Sequence, residues 1–143
     1  MDFKISIALH IVGIVMWAGG LMILTRFLKL FTSPGDGTPA VAAMANRVLH
    51  GYVFGGLVLA LLTGLYQLSY RGFGFYMAQG WFHGKLTFVI LLLVITGLVF
   101  TDVKKIKAGV PLSRGRVGAL HGLTGLALLV IVFLTLLGSP FIQ

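Results

Sequence analysis

Four histidines, His10, His50, His83 and His121, are the residues of this chain best suited to chemistry. Imidazole binds metals and changes charge near neutral pH. Cysteine is absent, which excludes disulfides, iron–sulfur clusters, thiolate metal sites and covalent haem attachment through CxxCH. His83 lies in "GWFHGKL", where it and Lys85 stand at the mouth of the apolar run "TFVILLLVITGLVF". A polar side chain inside a bilayer is costly unless something satisfies it, so the default reading of such a residue is functional.

The elements that must position these groups are membrane helices. The chain has 143 residues, 58% hydrophobic and 10% charged, with a mean hydropathy of +1.03, the composition of a membrane protein. Stretches near 5–25, 48–70, 82–101 and 117–138 each reach the roughly 20 helical residues that cross a hydrocarbon core of about 30 Å. Backbone amides in lipid need internal partners, and these runs do not alternate, so they are helices and not barrel strands. The expected fold is all-α: one transmembrane domain over 1–143, an up-and-down four-helix bundle with short connections. The first span follows only "MDFK" with no small-residue cleavage site, and is expected to be retained. Thr38-Pro39 has the form of an N-cap and a first-turn proline, so helix two begins ahead of its apolar core, and Ser113 is placed to cap helix four.

The formal charge of +8, from 11 Lys and Arg against 3 Asp and Glu, would suit a nucleic-acid partner, but the basic residues are distributed as flanks of the spans. Arg26, Lys29, Arg47, Lys104, Lys105, Lys107, Arg114 and Arg116 fall on one side, and only Lys4, Arg71 and Lys85 on the other. The positive-inside rule makes the first side cytoplasmic and leaves both termini outside, in a bacterial-type inner membrane.

Each helix holds one histidine, a turn or two inside its N-terminal end. Because the helices alternate in direction, His10 and His83 share an outer level and His50 and His121 an inner one. The spacings, 73 and 71 residues, and the recurrence of "LHG" at 49–51 and 120–122 suggest a two-helix internal repeat. In such a bundle helices one and three are diagonal, as are two and four, with about 13 Å between diagonal axes. That gap suits a metal held by an imidazole from each side, and a haem iron with two axial histidines fits both the gap and its apolar surroundings. Gly13, Gly51, Gly84, Gly118 and Gly122 lie near these ligands, leaving room for a macrocycle or serving close helix packing. The bland alternative for each ring is a hydrogen bond to a carbonyl or to headgroup water.

Propionates favour cationic partners: Arg47, Arg114 and Arg116 for the inner pair, Lys85, Arg71 or Lys4 for the outer. Otherwise these residues snorkel to headgroups, with Lys85 the main exception. Arg26 follows "LMILT" and is placed to point into the bundle. Asp2, Asp36 and Asp102, the only carboxylates, fall at span ends or in loops, so no buried acidic relay is expected. Five scattered methionines make a copper(I) conduit a poor match. "YRGFGFYMAQGW" reads as an interfacial aromatic belt, or as the wall of a quinone or porphyrin pocket.

"LHIVGIVMWAGGLMILTRF" followed by "GWFHGKL" resembles the HemJ-type protoporphyrinogen IX oxidases and related CopD-like membrane proteins. His10, Trp17, Gly20, Leu21 and Arg26 match the first motif of that family, and Gly80, Trp81, His83, Lys85 and Leu86 the second. The resemblance implies haem b as cofactor, His10 and His83 as inherited ligands, Trp17 and Arg26 beside the cofactor, and Lys85 meeting a propionate or a substrate carboxylate. The chain departs from the family pattern at Thr25, at Ile95-Thr96 and at 122–124, where the family has proline, a tyrosine–histidine pair and a glutamate with a following proline. With His50 and His121 in addition, the expectation shifts to a bis-histidine dihaem cytochrome, with two haems per chain, or at least one, exchanging electrons with a quinone or a redox protein. Porphyrinogen oxidation is the alternative, and a CopD-like copper or haem transporter the third.

Overall fold

The computed structural model describes residues 2–33 and 35–138. It is all-α, and four of its helical stretches are long and apolar enough to cross a membrane. Helix α1 spans Phe3–Lys29, α2 Pro39–Val48, α3 Phe54–Arg71, α4 Phe73–Met77, α5 Gly80–Lys107 and α6 Arg114–Gly138. Leu49–Val53 form a π-turn that joins α2 to α3 into one continuous second span.

Helix starts follow the local chemistry. Asp2 accepts from the Lys4 amide at 2.9 Å, and Thr38 from the Val41 amide at 3.3 Å ahead of Pro39. These side-chain oxygens satisfy amides that have no partner within the first turn. Ser113 sits ahead of α6, where its carbonyl accepts from the Val117 amide. Every span runs past its apolar run because flanking polar residues continue the helix. The aromatic connection folds as α4, with Tyr76 buried against Trp81 and Phe82.

The core is aliphatic. Leu21, Leu24, Leu28, Val53, Leu92, Ile95, Val99, Val103 and Val117 are buried to within 2% of complete, while the lipid-facing sides of the spans carry exposed leucine, valine and phenylalanine. α1 is central: it packs closely on α3 and on α6, and also touches α5, its diagonal neighbour. Trp17, on α1, donates its indole N–H to Thr96 of α5 at 2.9 Å. Because one diagonal pair touches, the other pair is held apart. α5 touches the short α4 at its own start and meets the second span chiefly through α2 at the basic end, with Phe54 against Phe100 where α3 begins. Beyond that point α3 and α5 are not closely packed. Substituting Trp17 by Phe removes the one polar tie across the short diagonal, and a loss of about 1 kcal/mol is expected, read from unfolding in detergent micelles.

Asp102 corrects the sequence reading of the acids. It lies near the end of a span, but it is fully buried and paired with Arg116 at 3.0 Å and Lys105 at 3.7 Å. The pair ties α5 to α6 beside their short connection, and it assigns Arg116 to an internal ion pair in place of a propionate. Asp102→Ala is expected to cost about 1–2 kcal/mol, less than a wholly buried pair because both cations remain partly exposed, measured as a lower midpoint in micelle unfolding.

Candidate functional site

The structure gives each histidine a distinct environment. His10, half-buried on α1, brings Nδ1 to 2.8 Å from the Ala60 carbonyl and 3.2 Å from Thr63 Oγ1 on α3. A carbonyl only accepts, so Nδ1 carries the proton and Nε2 keeps its lone pair. Gly64 makes the approach possible, since a Cβ there would meet the His10 ring at 3.0 Å. Gln67, one turn on, donates to the Ser6 carbonyl at 3.1 Å.

The same logic holds at the other three. His50 is exposed on the π-turn, and its Nδ1 donates to the Asn46 carbonyl at 2.8 Å. His83 is exposed near the start of α5, and its Nε2 donates to the Met77 carbonyl at 2.8 Å. His121, half-buried on α6, is 2.8 Å from Thr25 Oγ1; that hydroxyl gives its own proton to the Met22 carbonyl, so the imidazole donates. All four rings therefore have one nitrogen satisfied and the other open, the arrangement found in metal-ligating histidines.

The structure does not bring His83 to His10: the His83 ring is turned to the Met77 carbonyl, and Lys85, two residues on, is the less exposed of the two. Helical geometry explains this: two residues are 200° apart at 100° per residue, so with Lys85 turned inward His83 faces away. Lys85 is half-buried and has no hydrogen-bond or ion-pair partner among the described residues. One turn earlier Trp81 presents a buried indole N–H without an acceptor. Nearby Tyr76 has its phenol pushed above the usual range by burial, with Arg71 opposing, so it stays neutral and a donor.

His50 and His121 are likewise separate. His50 packs edge-on against Phe54, on the second span, whereas His121 is turned to Thr25 on α1. The contact of α1 with α5 lies between the second span and α6. The "LHG" pair also differs in backbone, one copy in a π-turn and the other in regular α-helix. No group of three or more His, Asp or Glu side chains gathers among the described residues. Arg26, Arg47 and Arg114 are exposed at the basic end. Trp17 is buried at 2% exposure in the bundle centre.

A tetrapyrrole held between diagonal histidines does not fit this packing: the interior is aliphatic and closed by the Trp17–Thr96 bond. α3 and α5 diverge beyond the Phe54–Phe100 contact, and His10 is held against α3. Sequence reasoning missed Thr63, Gly64 and Gln67, which position His10; a threonine and a glutamine inside the apolar run 54–71 were the signal. Compared with known protein families, curated proteins and solved structures, the chain matches none.

Proposed function

We propose that this integral, multi-pass membrane protein binds haem b and serves redox chemistry, with His10 as the iron ligand and Lys85 as the partner of a carboxylate on the bound group. The observation that carries the reading is the state of His10: its Nδ1–H is committed to the Ala60 carbonyl beside Thr63, and its Nε2 has no hydrogen-bond partner among the described residues. Bound haem b supplies one-electron exchange between ferrous and ferric iron. The chain's residues supply the rest. Ala60 and Thr63 fix the tautomer and ring plane of His10, the aliphatic core below keeps water out, and Lys85 and Trp81 offer hydrogen-bond donors to anionic or carbonyl groups.

In this reading the chain carries one haem where paired histidines would carry two, and the electron partner is a quinone or another redox protein. The basic end faces the cytoplasm, by the bias in lysine and arginine, so the His10 level lies toward the outer face. Lys85→Met separates stability from function. Removing an unpaired charge from apolar surroundings is expected to raise the apoprotein's stability by about 1 kcal/mol, while haem retention falls. Equal haem content in variant and parent would remove Lys85 from the site.

A second reading, porphyrinogen oxidation of the HemJ type, is favoured by the same Lys85, since a porphyrinogen carries the same carboxylates. Complementation of a strain lacking that enzyme tests it: rescue by the chain, lost on Lys85→Met, favours the enzyme, and failure with normal expression favours the electron carrier.

A further inference from the structure

At the basic end, α1 and α6 enclose a cleft of about 50 Å³ lined by Thr25, Arg26, Lys29, Val117, Gly118 and His121. Arg26 and Lys29 are three residues apart and so share one face of α1. Neither has an ion-pair or hydrogen-bond partner among the described residues. Both salt bridges at this end belong to Asp102; Asp36, in the connection after α1, is exposed and pairs with neither cation, and Asp2 is exposed at the opposite end. Two cations thus stand over a cleft with no carboxylate to neutralise them.

The cleft's floor is built for a small polar occupant. The Thr25 hydroxyl accepts from the His121 ring, whose Nε2 keeps its lone pair and is left to accept from a water in the cleft. A Cβ added at Gly118, which lines the cleft with His121, would meet nothing within 4 Å, so a larger side chain can be placed there without disturbing the helix packing. The volume is far below that of a macrocycle and suits a single oxyanion group with its water. Guanidinium binds phosphate oxygens in bidentate fashion, and lysine adds a point charge. A basic pocket between transmembrane helices at this depth is where phospholipid headgroups are held.

We infer that Arg26 and Lys29, over the cleft between α1 and α6, form a phosphate-binding site, its ligand the phosphate of an anionic lipid headgroup in the leaflet at the basic end. The site is independent of the haem reading, since it lies at the opposite end from His10 and Lys85.

The test uses the full chain in mild detergent after delipidation. Native mass spectrometry counts retained phosphatidylglycerol against phosphatidylcholine, and thermal unfolding is followed with each lipid and with inorganic phosphate alone. The parent is expected to retain phosphatidylglycerol selectively. The double variant R26Q/K29Q should bind it roughly thirtyfold more weakly, the effect of removing two basic residues next to an anionic surface. The variant K4Q/R71Q, with the same charge loss at the opposite end, should bind like the parent. Gly118→Leu, which fills the cleft and leaves both cations in place, should also lose retention. Protection by inorganic phosphate that vanishes in Gly118→Leu would support the same oxyanion site, supplied from the aqueous side. Equal weakening in both double variants, unchanged binding in Gly118→Leu, or no preference over phosphatidylcholine would overturn the assignment.

Discussion

Gly13→Leu is expected to cost about 3 kcal/mol or more and to separate α1 from α3. A Cβ at Gly13 would fall 2.6 Å from the Ala60 amide nitrogen, 2.9 Å from its Cα and 3.0 Å from the Gly56 carbonyl oxygen. Across the interface, a Cβ at Gly56 would meet the Met16 side chain at 2.7 Å and the Gly13 carbonyl oxygen at 2.8 Å. These are contacts to backbone atoms and, at Met16, to a Cβ, which no rotamer change relieves. In lipid no hydrophobic force draws helices together, so close backbone approach is a principal source of their association. The consequence extends to the site, because Ala60 is both the residue against Gly13 and the carbonyl that orients His10. Unfolding in micelles should show the lower midpoint, and haem retention should fall with it. Gly97, with open space around its Cβ position, is the control: Gly97→Leu should leave both unchanged.

His10→Ala is the second large effect, with haem content expected to fall by about tenfold or more while the helical spectrum is kept. The ring is anchored by Ala60 and Thr63, so its loss removes the proposed iron ligand and opens a gap beside Gly64. Thr63→Val is the milder companion: the carbonyl bond survives and the hydroxyl beside Nδ1 goes. Loss of such an outer partner weakens metal binding by about tenfold or more. A gradation with alanine at 10 below valine at 63 below parent marks ligand and support in order. His50→Ala and His121→Ala should leave the haem in place, since neither ring lies at the His10 level.

Much of the fold was legible because bilayer physics is restrictive. Long apolar runs can only be helices, short connections make neighbours antiparallel, and Thr38-Pro39 marks its own helix start. Burial is harder to read. Asp102 looks like an interfacial acid in the sequence and lies fully buried, because α5 continues past it and brings Arg116 back over it. The convergence of the rings was also beyond the sequence. Sequence position gives how far along its helix each histidine lies, but direction depends on how far each helix is turned about its axis. That rotation was set by Gly13, Gly56 and Gly64 on the α1–α3 contact and by Trp17 reaching Thr96. The π-turn at 49–53 shifts the register of His50 in a way no spacing rule anticipates.

The central claim is that His10 holds a single haem b at the outer end of the bundle. A pyridine haemochrome count on purified protein, for the parent and for His10→Ala, tests it most directly. One haem per chain in the parent and nearly none in the variant is the predicted result; no haem in the parent, or two, or a count that His10→Ala leaves untouched, would contradict it.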